Sequence, residues 1–133
     1  MHARRLLFAQ LGVLVLLYIS HQIGIHYFND SAYNSFFAIT HLLGGVWAAL
    51  LVLWARALMH DEAGVLLCVL GALGVGIAWE FFEIVADLTS ISSPYYAGDT
   101  TLDIVMDTFG GFVGAFLAKT SSFFRRDAIL AGR

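Results

Sequence analysis

Charge is what this sequence has least of: Asp, Glu, Lys and Arg make up 13% of its 133 residues, against 59% hydrophobic residues. That scarcity excludes an ordinary soluble domain, in which about a quarter of the residues are charged. Proline occurs once, at Pro94, and cysteine once, at Cys68. A single cysteine rules out an intramolecular disulfide, and its place in an apolar run between Leu67 and Val69 marks it as a packing residue. With a formal net charge of -3 and no basic run, the chain lacks the clustered positive footprint of a nucleic-acid-binding protein, and no nucleic-acid partner is expected. Also missing are the alternating apolar and polar segments of roughly ten residues that build an outer-membrane barrel.

What the chain does have is long, unbroken apolar runs and a mean hydropathy of +0.79. The runs cover approximately 6–28, 36–59, 63–88 and 102–124. Each is close to the roughly 20 residues that cross a hydrocarbon core about 30 Å thick. Inside a bilayer, backbone amides and carbonyls must pair with one another, which leaves the helix as the only spanning structure compatible with these runs. We therefore expect an all-α fold: an integral membrane four-helix bundle forming one domain over 1–133, with the lipid bilayer as its surroundings. Arg4 and Arg5 open the first run, but no small-residue cleavage pattern follows Tyr18-Ile19-Ser20, so it reads as a span and not as a signal peptide.

The basic residues are Arg4, Arg5, Arg56, Lys119, Arg125, Arg126 and Arg133, and all of them fall at one end of these spans. The connections 29–35 and 89–101 hold no Lys or Arg. The positive-inside rule then predicts an N-in/C-in topology, with both termini and the turn from Arg56 to Glu62 in the cytoplasm. Gly110, Gly114 and Ala118 on the fourth span, and Gly71, Gly74 and Ala78 on the third, have the small-residue spacing that lets membrane helices approach closely. Close packing is the expected role of these faces, with a homo-oligomer or a larger membrane complex as the alternative they also fit.

The acidic residues are concentrated at the opposite end. Glu80, Glu83 and Asp87 share one helical face, Asp103 and Asp107 share another, and Asp99 precedes the fourth span, where Asp99-Thr100 is the expected helix start. His41 lies about one and a half turns into the second span, and His21 and His26 near the outer end of the first. Counting about 1.5 Å per residue, Glu80 and Asp107 both fall roughly 9 to 12 Å below the outward boundary and are level with each other. A carboxylate in a span costs upward of about 2.5 kcal/mol and marks an ion path, a relay or a bound cation. Facing carboxylates with an imidazole form the ligand set of metal sites in helix bundles, and this mixture suits Mg, Mn, Fe or Zn. We expect His41, Glu80, Glu83, Asp103 and Asp107 to be the metal ligands, with Asp87, Asp99 and His21 as outlying candidates. A network of hydrogen-bonded, partly protonated carboxyls that fixes helix register is the competing expectation.

Three stretches carry a family resemblance. They are Thr40-His41-Leu42-Leu43-Gly44-Gly45, Trp79-Glu80-Phe81-Phe82-Glu83, and Gly98-Asp99-Thr100-Thr101-Leu102-Asp103 running on to Asp107-Thr108-Phe109-Gly110-Gly111. In these the chain resembles the VanZ-like superfamily of small bacterial membrane proteins and a related group of inner-membrane proteins. It departs from the VanZ-like pattern at Glu83, where that pattern commonly has Gln, and at Asp107, where it has Asn. The resemblance implies a bacterial inner (plasma) membrane and a cell-envelope role, and it supplies positions without a reaction. Two roles follow: metal-dependent chemistry on an envelope or lipid-linked substrate, or a non-enzymatic accessory subunit or binding module. A transporter is disfavoured, because no ionisable group lies between the acidic cluster and Arg56 or Lys119.

Overall fold

The computed structural model describes residues 2–28 and 36–124. The expected connection 29–35 and the basic residues Arg125, Arg126 and Arg133 lie outside them. The described chain forms α1 (Ala3–Phe28), α2 (Phe37–Leu58), α3 (Val65–Val85) and α4 (Tyr96–Thr120). All four are long and apolar enough to cross a membrane. The expected bundle is therefore present. α2, α3 and α4 pack on one another, and α1 packs along α2. His2 N–H donates to the Phe124 carbonyl at 3.2 Å and the Arg5 guanidinium to the Phe123 carbonyl at 2.6 Å, so the two ends of the described chain meet at one end of the bundle.

The interior is built from small residues. Around Leu6, Leu50, Leu53 and Cys68 sit Ala49, Ala63, Ala115 and Ala118, while bulky side chains such as Phe8, Leu66, Phe81, Phe109 and Phe116 point out of the bundle. This inverts the layout of a soluble protein. Lipid is as apolar as leucine and does not drive helices together, so association depends on close van der Waals contact through small residues. On α4 the expected stripe holds: Gly110, Gly114 and Ala118 are buried. A Cβ on Gly110 would strike the Leu42 carbonyl oxygen, and one on Gly114 would come within 2.9 Å of the Val46 carbonyl oxygen.

On α3 the buried stripe differs from the expected one. It is Cys68, Ala72, Gly76 and Glu80, each four residues after the last, whereas Gly74 and Ala78 face outward and Gly71 meets the side chain of Val52. Several small residues on α3 offered competing registers, and the contact with Gly111 of α4, whose Cβ would lie 2.5 Å from Ala72 Cβ, selects this one.

Two helix ends also differ from expectation. α3 stops at Val85 and not near 88, through a closing turn in which Leu88 N–H reaches the Glu83 carbonyl at 2.9 Å and Asp87 N–H the Ile84 carbonyl at 3.2 Å. Asp87 takes the left-handed conformation (φ 57) that this pattern requires after the last helical residues. α4 begins at Tyr96, after the Ser93-Pro94 turn, so Asp99 and Thr100 lie within the helix and do not start it. Asp99 still stands in the first turn, where a negative charge favours the helix dipole.

Candidate metal centre

Each of the three mutually packed helices delivers one or two ionisable groups to a single junction. α2 contributes His41, α3 contributes Glu80 at the end of its small-residue stripe, and α4 contributes Asp103 and Asp107, one turn apart. Counted along the helix axes, His41, Glu80 and Asp103 lie roughly 6 to 10 Å inside the nearest helix ends.

His41 stands between two aspartates. Its Nδ1 is 3.1 Å from Asp107 Oδ2, a hydrogen bond in which the ring N–H donates, and its Nε2 is 3.6 Å from Asp103 Oδ2. The second distance is too long for a hydrogen bond. It does match the spacing of two ligands on one ion, because donors about 2.1 Å from a metal sit roughly 3.5 Å apart. One donor atom from each of His41, Glu80 and Asp103 falls within 4.8 Å of the others. Among the described residues, Glu80 Oε1 is buried and has no hydrogen-bond partner. A buried carboxylate oxygen left bare is expensive, and next to an imidazole and a second carboxylate it is where a cation belongs.

By the placement of the basic residues, the cluster is expected to face outward, at the opposite end of the bundle. The structure buries it: Glu80, Asp103 and Asp107 are 6%, 7% and 4% exposed. The cause is the helix register just described, which places these positions on the same stripes as the packing glycines. Of the other expected ligands, Glu83 is turned to the Trp79 indole, which donates to its Oε1 at 2.8 Å. Asp87 and Asp99 are exposed, Asp87 because the helix has ended before it. His21 is exposed with its ring 5.8 Å from that of Phe37, and His26 bonds the Gln22 carbonyl at 2.8 Å. A cavity of about 250 Å³ lies toward the other end of the bundle, between Leu53, Ala57, Ala118 and the charges of Asp61, Glu62 and Lys119. Leu53 and Ala57 are roughly 18 to 24 Å along α2 from His41, so that cavity is a separate feature.

Sequence reasoning did not single out Gly44, Gly45 and Gly76 as parts of the site. A Cβ on Gly76 would come within 2.6 Å of Asp107 Oδ2, one on Gly44 within 3.2 Å of Oδ1, and one on Gly45 would overlap the Asp107 carbonyl. The signal available was the four-residue step from Gly76 to Glu80.

Fold and site together define a multi-pass α-helical membrane protein with a carboxylate and imidazole cluster buried among three of its helices. The chain belongs to the family described as a predicted membrane protein, DUF2238, whose model matches residues 5–122 and so spans every residue of the cluster. Nothing in that match is specific to VanZ-like proteins. No curated protein and no solved structure matches the chain.

Proposed function

We propose that this protein is a divalent-cation-binding protein of the bacterial inner membrane, with both termini in the cytoplasm and His41, Glu80 and Asp103 as the metal ligands. The bare, buried Glu80 Oε1 carries the reading. An imidazolium at His41 would face Asp103 and Asp107 without donating a hydrogen bond to that oxygen, whereas a cation would be held by one donor atom from each of His41, Glu80 and Asp103. One nitrogen with two carboxylates suits Mg, Mn, Fe or Zn. Three protein ligands leave a coordination position for water or substrate. When bound, such an ion supplies Lewis-acid polarisation of a phosphate or ester oxygen. The depth of the site below the helix ends favours an envelope or lipid-linked substrate.

A second reading is supported by the enclosure of the cluster, since closed sites are the mark of structural metals. There the ion ties α2, α3 and α4 together in a non-enzymatic accessory subunit or binding module.

Both readings require the metal. Protein purified in mild detergent without chelator is expected to carry about one metal ion per chain by mass spectrometry. A Glu80→Gln, Asp103→Asn double variant that elutes as a single species with wild-type helix content should have lost it. An empty wild type would sink the proposal and leave the hydrogen-bonded carboxyl network in its place.

A further inference from the structure

We propose that Asp107 is the positioning residue of this centre, holding His41 in the tautomer that offers its Nε2 lone pair to the ion, and that Gly44, Gly45 and Gly76 form the socket that holds Asp107. The inference rests on the metal reading above and assigns Asp107 a role different from that of the ligands.

A neutral imidazole has one N–H and one lone pair, and only the nitrogen with the lone pair can ligate. Asp107 Oδ2 lies 3.1 Å from Nδ1. A carboxylate has no proton to give there, so the N–H must be on Nδ1. The lone pair is then on Nε2, the nitrogen nearer Asp103. Metal-bound histidines characteristically donate their other ring N–H to a carboxylate or carbonyl in this way, which fixes ring orientation and raises the basicity of the ligating nitrogen.

Holding Asp107 in place requires space that only glycine leaves. Its side chain is walled by Gly76 of α3 at Oδ2 and by Gly44 of α2 at Oδ1, and Gly45 lies against its backbone carbonyl. Asp107 is 4% exposed and confined on two sides, so its carboxylate has little freedom except to face His41. α2 and α4 therefore meet backbone to backbone where the orienting carboxylate sits, with α3 against its side chain. This gives a chemical reason for glycines that would otherwise read only as packing.

Asp107→Asn keeps the shape and tests the tautomer. An amide can present its NH2 to Nδ1, which moves the ring proton to Nε2 and blocks ligation. In a Co(II) titration of detergent-solubilised protein, the variant should bind 10- to 100-fold more weakly than wild type. At saturation its d–d absorption should match wild type, because the ligands themselves are unchanged. Nitrogen-15 shifts of His41 in the metal-free proteins, recorded at a pH where the ring is neutral, should show the Nδ1–H form in wild type and a mixture in Asp107→Asn. Gly76→Ala, which presses on Asp107 without altering it, should weaken binding in the same direction. Unchanged affinity and tautomer in Asp107→Asn would overturn the inference while the metal site stands. A changed spectrum at saturation would overturn it by making Asp107 a ligand. A wild type that binds no Co(II) would overturn both this inference and the metal reading.

Discussion

Glu80 is where burial and charge conflict most directly. It continues the stripe of Cys68, Ala72 and Gly76, positions that need small apolar residues, yet it is a carboxylate with a buried oxygen that finds no donor among the described residues. Without a bound cation, Glu80→Gln removes like-charge repulsion from Asp103 and Asp107 and supplies two donors. The metal-free variant is therefore expected to unfold at the same temperature as wild type or slightly higher. Added metal should separate the two proteins. At 100 times the dissociation constant a ligand stabilises by about 2.7 kcal/mol, so wild type should gain several degrees and Glu80→Gln none. Thermal unfolding followed by circular dichroism in detergent, with and without metal, makes the comparison. A variant stabilised as much as wild type would remove Glu80 from the site.

Within the helices, identical substitutions are expected to have opposite signs according to the face they fall on. Glycine in a helix interior costs about 1 kcal/mol relative to alanine, so propensity alone predicts that every Gly→Ala change stabilises. Gly74 has open space at its would-be Cβ, with no atom of another described helix within 4 Å, and should follow that rule. Gly45 should not, because its Cβ would overlap the Asp107 carbonyl, backbone on backbone, where no side-chain rotation can relieve the contact. We expect Gly45→Ala to destabilise by about 1 to 3 kcal/mol, a typical cost of overpacking, and to weaken metal binding as α2 and α4 separate. Chemical unfolding of the two variants side by side checks the sign. Equal stabilisation of both would contradict the α2–α4 packing described above.

Over the whole molecule, the cluster lies toward the end of the bundle away from the chain ends, where His2 meets Phe124. The proposed orientation puts that end outward. Cys68 is fully buried and should be silent to thiol reagents, so it needs no replacement in a labelling experiment. Ser90→Cys, beyond α3, should react with a membrane-impermeant maleimide in intact cells, and Glu62→Cys, in the turn between α2 and α3, only after permeabilisation. The reverse pattern would invert the topology and place the metal centre on the cytoplasmic side. α1 packs along α2 and contributes no residue to the junction, so the metal should couple the stabilities of α2, α3 and α4 while leaving α1 on their flank.

The number of helices and their approximate limits were legible in the sequence, because apolar run length alone decides whether a segment can span a bilayer. The gathering of acidic residues toward one end, and His41, Glu80 and Asp103 as partners, were legible too, since helical spacing fixes which residues share a face and a depth. Which stripe of α3 turns inward was not legible. Its small residues permitted more than one register, and only the fit of Ala72 and Gly76 against Gly111 and Asp107 chose between them. The same choice buried the carboxylates of Glu80, Asp103 and Asp107 inside the bundle and left Glu83 paired with Trp79 of its own helix. The loss of Asp87 came from the backbone: its left-handed conformation closes α3 before the third acidic position can join the face it shares by spacing. Periodicity along one helix determines which residues can act together, but which of them do so is decided by how closely the neighbouring helix can approach, and here that approach depends on the glycines around Asp107.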